Sequence, residues 1–116
     1  MQDKKNMQVF EHYWADGTLK VQSAKELEEL AQAIARGLEM EIVSGPYVFE
    51  GKEGNEGYTV LAGIEFSSIT IHHFFNGNRI FVDVLTCKPT SQETFLSILR
   101  EQGISLLRWG SNNRSF

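Results

Sequence analysis

The sequence predicts an α+β fold, a two-layer sandwich in which a mostly antiparallel sheet carries two helices on one face. Three observations lead there. Three runs of alternating apolar residues follow one another at 58–66, 67–75 and 79–87, with only turn signals around them. Two amphipathic stretches of helical period flank that block, one on each side. With 116 residues and 41% hydrophobic content, the chain fits a single domain spanning 1–116.

The elements follow in chain order. Residues 7–15, MQVFEHYWA, are aromatic and β-branched enough for a strand, and Asp16-Gly17-Thr18 reads as a turn. Ser23 and Glu26 form a capping box, after which Leu27, Leu30, Ile34 and Leu38 recur on one helical face over Ala24 to Arg36. The run 39–50 is a strand bent at Gly45-Pro46, because proline cannot donate to a central ladder. Residues 51–57, GKEGNEG, form a hairpin loop. Asn76-Gly77-Asn78 then separates the second and third of the central strands. A second capping box, Thr90 with Glu93, opens a helix bearing Phe95, Ile98 and Leu99 and ending at Gly103. The run 104–109 closes as a strand, and the polar tail 110–116 has little to bury and is expected to be loose.

Charge and cysteine content narrow the function. A net charge of −4 and a pI near 5.3 argue against nucleic-acid or anionic-membrane partners, which favour a basic face. No apolar run approaches the length of a membrane helix, and the N-terminal MQDKKNMQ lacks a signal-peptide core, so a cytoplasmic location is expected. The single cysteine, Cys87, has no partner for an internal disulfide and no zinc-ligand spacing. It reads as a buried small hydrophobe or a working thiol.

With both helices on one face, the other sheet face is left over. Ile69, Ile71, Ile80, Val82 and Val84 are the helix-side positions. The same alternation sends Thr70, His72, Phe74, Phe81, Asp83, Leu85 and Cys87 to the open face. That face mixes aromatics with an imidazole, a carboxylate and a thiol, a composition suited to a site. Each has a plainer reading: the histidines as partly exposed sheet residues, Asp83 as a cross-strand ion pair, Phe49 and Phe74 as core or interface.

The run Ser67-Ser68-Ile69-Thr70-Ile71-His72, followed by Cys87 within VDVLTCK, resembles the small bacterial and archaeal S-adenosylmethionine decarboxylase proenzymes. The element order is similar from about Val9 to Trp109. The resemblance implies that Ser67 attacks the preceding carbonyl and that the chain then cleaves into a β chain, 1–66, and an α chain, 67–116, headed by a pyruvoyl cofactor made from Ser67. It implies that His72 assists elimination, that Thr59 stands where a processing serine is usual, and that Cys87 returns a proton to the substrate carbon after carbon dioxide leaves. A carbonyl that condenses with the substrate amine is the electron sink such a reaction needs.

The resemblance also implies S-adenosylmethionine as substrate, a role in spermidine biosynthesis, and a homodimer. Phe74, with Phe49 as a second wall, is implied to stack on the adenine, and Asn76 to meet the ribose. The chain departs from the pattern at Phe66, where glutamate is usual, at the residues 73–76, and at Lys88 in place of glycine. Ser67-Ser68 therefore offers a second cleavage bond. Two alternatives stand beside the first reading: a pyruvoyl decarboxylase of ornithine or arginine, and an unprocessed, non-catalytic relative acting as a binding partner. Ser67 and His72 are five residues apart, so a regular strand puts them on opposite faces, and a bend near Ser67 is expected.

Overall fold

Alternation of buried and exposed residues builds the sheet, and the two helices cover its buried face. The computed structural model describes residues 10–115; the expected start of the first strand at 7–9 lies outside them. The elements are β1 (Glu11–Thr18), α1 (Ala24–Gly37), β2 (Ser44–Glu50), β3 (Gly57–Ile64), β4 (Ser67–Phe74), β5 (Arg79–Thr86), α2 (Gln92–Glu101) and β6 (Ser105–Asn113). The strands form one sheet in the order β2-β3-β4-β5-β1-β6, antiparallel at every pairing. The predicted α+β sandwich is the fold observed.

α1 packs over β2, β3 and β4, whereas α2 packs over β1 and β6 and against α1. Between helices and sheet lie Ile69, Ile71, Ile80, Val82 and Val84, all buried as their alternation predicts, with Leu27, Ile34, Phe95 and Leu99 descending from the helices. Burying one such aliphatic side chain contributes about 1.5–3 kcal/mol. His73 is also on this side, fully buried, and its Nε2–H donates to the Leu19 carbonyl at 2.8 Å.

Four details differ from the sequence reading. Asp16-Gly17-Thr18 is not a turn but the end of β1, where the β6 pairing slips at a bulge between Asp16 and Gly17. Arg108 holds Asp16 at 2.9 Å, and a Cβ at position 17 would collide with the Ser105 carbonyl, so the glycine serves close strand approach. The expected loose tail is instead ordered through Asn113, because Gly110–Asn113 pair with the first half of β1.

Both capping boxes are altered as well. Ser23 caps α1 without a side-chain hydrogen bond, while the Glu26 carboxylate accepts the Gln22 N–H at 3.0 Å. Ser91, rather than Thr90, caps α2, accepting the Thr94 N–H at 3.1 Å. Gly103 follows that helix at φ +93°, the left-handed ending that glycine adopts without steric cost. The bend in β2 falls where proline placed it: the Gly45–Pro46 bond is cis and the β3 register shifts across it. In the β2–β3 loop the Gly54 N–H donates to the Glu56 carboxylate, which holds that carboxyl below the usual glutamate range.

Candidate functional site

Ser67 opens β4 directly after a two-residue turn, Glu65-Phe66. By alternation its side chain shares the helix side with Ile69 and Ile71, and it is only 7% exposed. β5 ends at Thr86, whose hydroxyl turns inward toward the Met40 sulfur at 3.4 Å. Cys87 therefore leaves the ladder. Its sulfur swings to Ser67 instead of continuing the open face. The Cys87 backbone N–H donates to Ser67 Oγ at 3.0 Å, and the Ser67 hydroxyl donates to Cys87 Sγ at 3.4 Å. Ser68 points to the open face opposite Leu85 and Gly63, so of the two serines Ser67 is the one held against the thiol.

Ser67 and Cys87 line a surface depression of about 270 Å³ at this end of the sheet. Glu39, Met40 and Glu41, just after α1, form one wall, and Val43, Ile64 and Glu65 another. Lys88 closes a third side, its ammonium donating to the Glu39 carbonyl at 2.6 Å. The cluster offers a hydroxyl oxygen fixed by a backbone donor, a thiol beside it, and an entrance flanked by carboxylates. A serine Oγ held this way is positioned rather than free to rotate, which favours attack on a neighbouring carbonyl.

His72 lies elsewhere. β4 is regular from Ser67 to Phe74, so the imidazole is on the open face, about 16 Å along the strand from Ser67 at roughly 3.3 Å per residue. The expected bend exists, but it sits before Ser67, in the turn, and leaves the parity between the two residues unchanged. Thr59 is directly opposite His72 on β3, with Thr59 Oγ1 at 3.0 Å from His72 Nδ1. The same row across the open face continues through Phe49 on β2 and Phe81 on β5.

Phe74 stands one row further from Ser67, its ring edge-on to Phe81 with centroids 5.1 Å apart, and Asn76 begins a short 3-10 turn into β5. Thr59, His72 and Phe74 line a smaller depression of about 130 Å³ with Gly51 and Asn55. One chain thus assembles two clusters, Ser67 with Cys87 at one end and Thr59 with His72 on the open face. It does not unite them. Between the clusters the His12 imidazole and Asp83 carboxylate meet at 2.9 Å, the cross-strand pairing that one reading of Asp83 anticipated.

Glu39, Glu41 and Val43 at the mouth of the Ser67 depression carried no signal in the sequence, because they reach it from the end of α1 through tertiary packing alone. Lys88 did carry one, as the residue following the cysteine. Among the described residues, no three His, Cys, Asp or Glu side chains are grouped to hold a metal ion, and no helix is long and apolar enough to cross a membrane.

Comparison with known proteins follows the same lines. No curated protein matches the chain. The crystal structure of the adenosylmethionine decarboxylase from Aquifex aeolicus VF5 superposes with a TM-score of 0.71 at 18% identity, covering 93% of this chain and 90% of that one, a likeness of fold. The family profile for S-adenosylmethionine decarboxylase matches residues 9–103, a span that holds Ser67, Cys87, Thr59 and His72, and the chain belongs to that family.

Proposed function

We propose that the chain is a self-processing, pyruvoyl-dependent decarboxylase of S-adenosylmethionine that feeds spermidine synthesis in the cytoplasm. The observation that carries this reading is the Ser67–Cys87 contact: one Oγ held at 3.0 Å by a backbone N–H and lying 3.4 Å from a thiol. Ser67 Oγ attacks the Phe66 carbonyl carbon, the amide becomes an ester, and elimination at Ser67 releases the Phe66 carboxylate and so separates 1–66 from 67–116, leaving a dehydroalanine that takes up water and loses ammonia to become a pyruvoyl group.

The residues around Ser67 fit a pyruvoyl group at that position, since the Cys87 N–H that holds Oγ is a donor at the site and the depression opens beside it. At that position a pyruvoyl group would supply the electron sink that loss of carbon dioxide from an amino-acid α-carbon requires. Cys87 keeps a proton at Sγ, within the depression, for return to that carbon. Glu39, Glu41 and Glu65 at the mouth favour a cationic substrate, which the sulfonium and amine of S-adenosylmethionine supply.

Because His72 is remote from Ser67 within one chain, we assign its part in elimination to a second copy, packed so that its open face meets the end of the sheet at which Ser67 lies. Tyr47, Phe49, Leu61 and Phe74 are exposed there and give that face the apolar surface a homodimer needs. Phe49, Phe74 and Asn76 are assigned to substrate contacts in the same assembly. A second reading, decarboxylation of ornithine or arginine, rests on the size of the Ser67 depression, about 270 Å³, which is just below the roughly 300–1,000 Å³ of ordinary ligand pockets.

Carbon dioxide release from carboxyl-labelled S-adenosylmethionine, ornithine and arginine tests the reading. Release from the first alone is expected, and release from an amino acid alone replaces it with the second reading. Co-expression of Ser67→Ala and His72→Ala chains tests the shared site: the His72→Ala chain is cleaved in the mixed dimer but not by itself. If mixing restores no cleavage, the second copy has no part in the reaction.

A further inference from the structure

The backbone feature nearest the proposed scissile bond is at Phe66. β3 and β4 are joined by Glu65 and Phe66 alone, since Ile64 pairs with Ser67. Phe66 adopts φ +57°, in the left-handed region that bulky L residues avoid. Its side chain is 74% exposed and has no polar atom, so nothing in its surroundings explains why an aromatic residue occupies a position glycine would fill without steric cost. On the other side of the 66–67 bond, Ser67 Oγ is fixed by the Cys87 N–H at 3.0 Å. The bond is held from both directions.

We propose that Phe66 is a positioning residue for self-cleavage and acts through its backbone, the left-handed strain being released as the Phe66–Ser67 amide becomes an ester. This rests on the self-processing reading above. In that step the bond from the Phe66 carbonyl carbon to Ser67 Oγ forms, the bond from the same carbon to the Ser67 nitrogen breaks, and the hydroxyl proton ends on that nitrogen. No co-reactant is needed. The ester runs through Ser67 Cβ, adding rotatable bonds between Phe66 and the strand, and so frees the Phe66 φ angle from the hairpin register. An amide is ordinarily the more stable of the two linkages, and strain confined to the amide form offsets part of that difference. The requirement at position 66 is then a Cβ on a left-handed backbone, whatever the side chain beyond it.

Time courses of intact mass for wild type and for Phe66→Ala, Phe66→Glu, Phe66→Asn and Phe66→Gly test this, with urea unfolding of each variant in a Ser67→Ala chain to confirm that it folds. The Ala and Glu variants are expected to cleave within about twofold of wild type, as for a surface side chain without contacts. Asn, which tolerates the left-handed region, cleaves more slowly. Gly is slowest, by about five- to thirtyfold, the equivalent of the 1–2 kcal/mol that the left-handed region costs an L residue. A Gly variant that cleaves as fast as wild type overturns the proposal while leaving self-processing intact. So does an Ala variant slowed as much as Gly, since the side chain is then what matters. A wild-type chain that never cleaves removes the self-processing reading and this one with it.

Discussion

Replacing Thr59 by valine removes one hydroxyl and keeps the branched shape, which isolates the hydrogen bond to His72. The two residues are directly opposed across β3 and β4, with Thr59 Oγ1 and His72 Nδ1 3.0 Å apart. Both are half-buried, so the net worth of the bond belongs in the lower half of the usual range, about 0.5–1 kcal/mol. The hydroxyl can donate to Nδ1 or accept from it, so the same energy is the upper bound on how far the contact biases which ring nitrogen carries the proton. At 1.4 kcal/mol per tenfold it corresponds to a shift of roughly two- to fivefold in the tautomer ratio. Measured in a Ser67→Ala chain, which stays intact, Thr59→Val should lower unfolding free energy by that amount. Nitrogen-15 chemical shifts of the His72 ring should report the change in ratio. In a chain able to cleave, Thr59→Val slows cleavage and Thr59→Ser restores it, because serine returns the hydroxyl. Unchanged ring populations with unchanged stability would refute the pairing as the feature that orients His72.

Three further outcomes follow from named contacts. Cys87→Ala is expected to cleave yet release carbon dioxide at least about a hundredfold more slowly, the scale of a lost general acid; full turnover in a radiometric assay removes the thiol from the mechanism. Ile71→Ala, at a position fully buried between β4 and the helices, should lower stability by about 2–5 kcal/mol in urea unfolding, and a loss below 1 kcal/mol contradicts the packing described. Burial raises the Tyr13 phenol above its usual range, with Glu11 adding to the effect, and the hydroxyl donates to the Thr90 carbonyl at 3.0 Å. A group whose folded-state value is raised contributes stability that is complete below the unfolded value near 10 and is lost as pH climbs through the folded one. The alkaline fall in stability should therefore be shallower in Tyr13→Phe.

The sheet and its buried face were legible because alternation is a local signal: Ile69, Ile71, Ile80, Val82 and Val84 state their side within a few residues of one another. The end of β1 and the second half of β6 were not, since their pairing is made by backbone groups. Asp16-Gly17 has the composition of a turn and is kept extended by Arg108 and by close approach of the Ser105 carbonyl, neither visible nearby in sequence. In the site, the odd spacing of Ser67 and His72 already implied opposite faces. What could not be read was that β4 stays regular and that the chain instead turns at Phe66. Cys87 was assigned to the open face by alternation and escapes it because the ladder ends one residue earlier. Two of the carboxylates at the mouth of the depression, Glu39 and Glu41, come from just after α1, a contact made only by folding.

Intact-mass measurement of the purified chain tests self-processing most directly. Two fragments meeting between 66 and 67, the second carrying the mass of a pyruvoyl in place of its first serine, are predicted, and Ser67→Ala should abolish both. A single full-length mass after prolonged incubation, identical in wild type and Ser67→Ala apart from the missing oxygen, would contradict it.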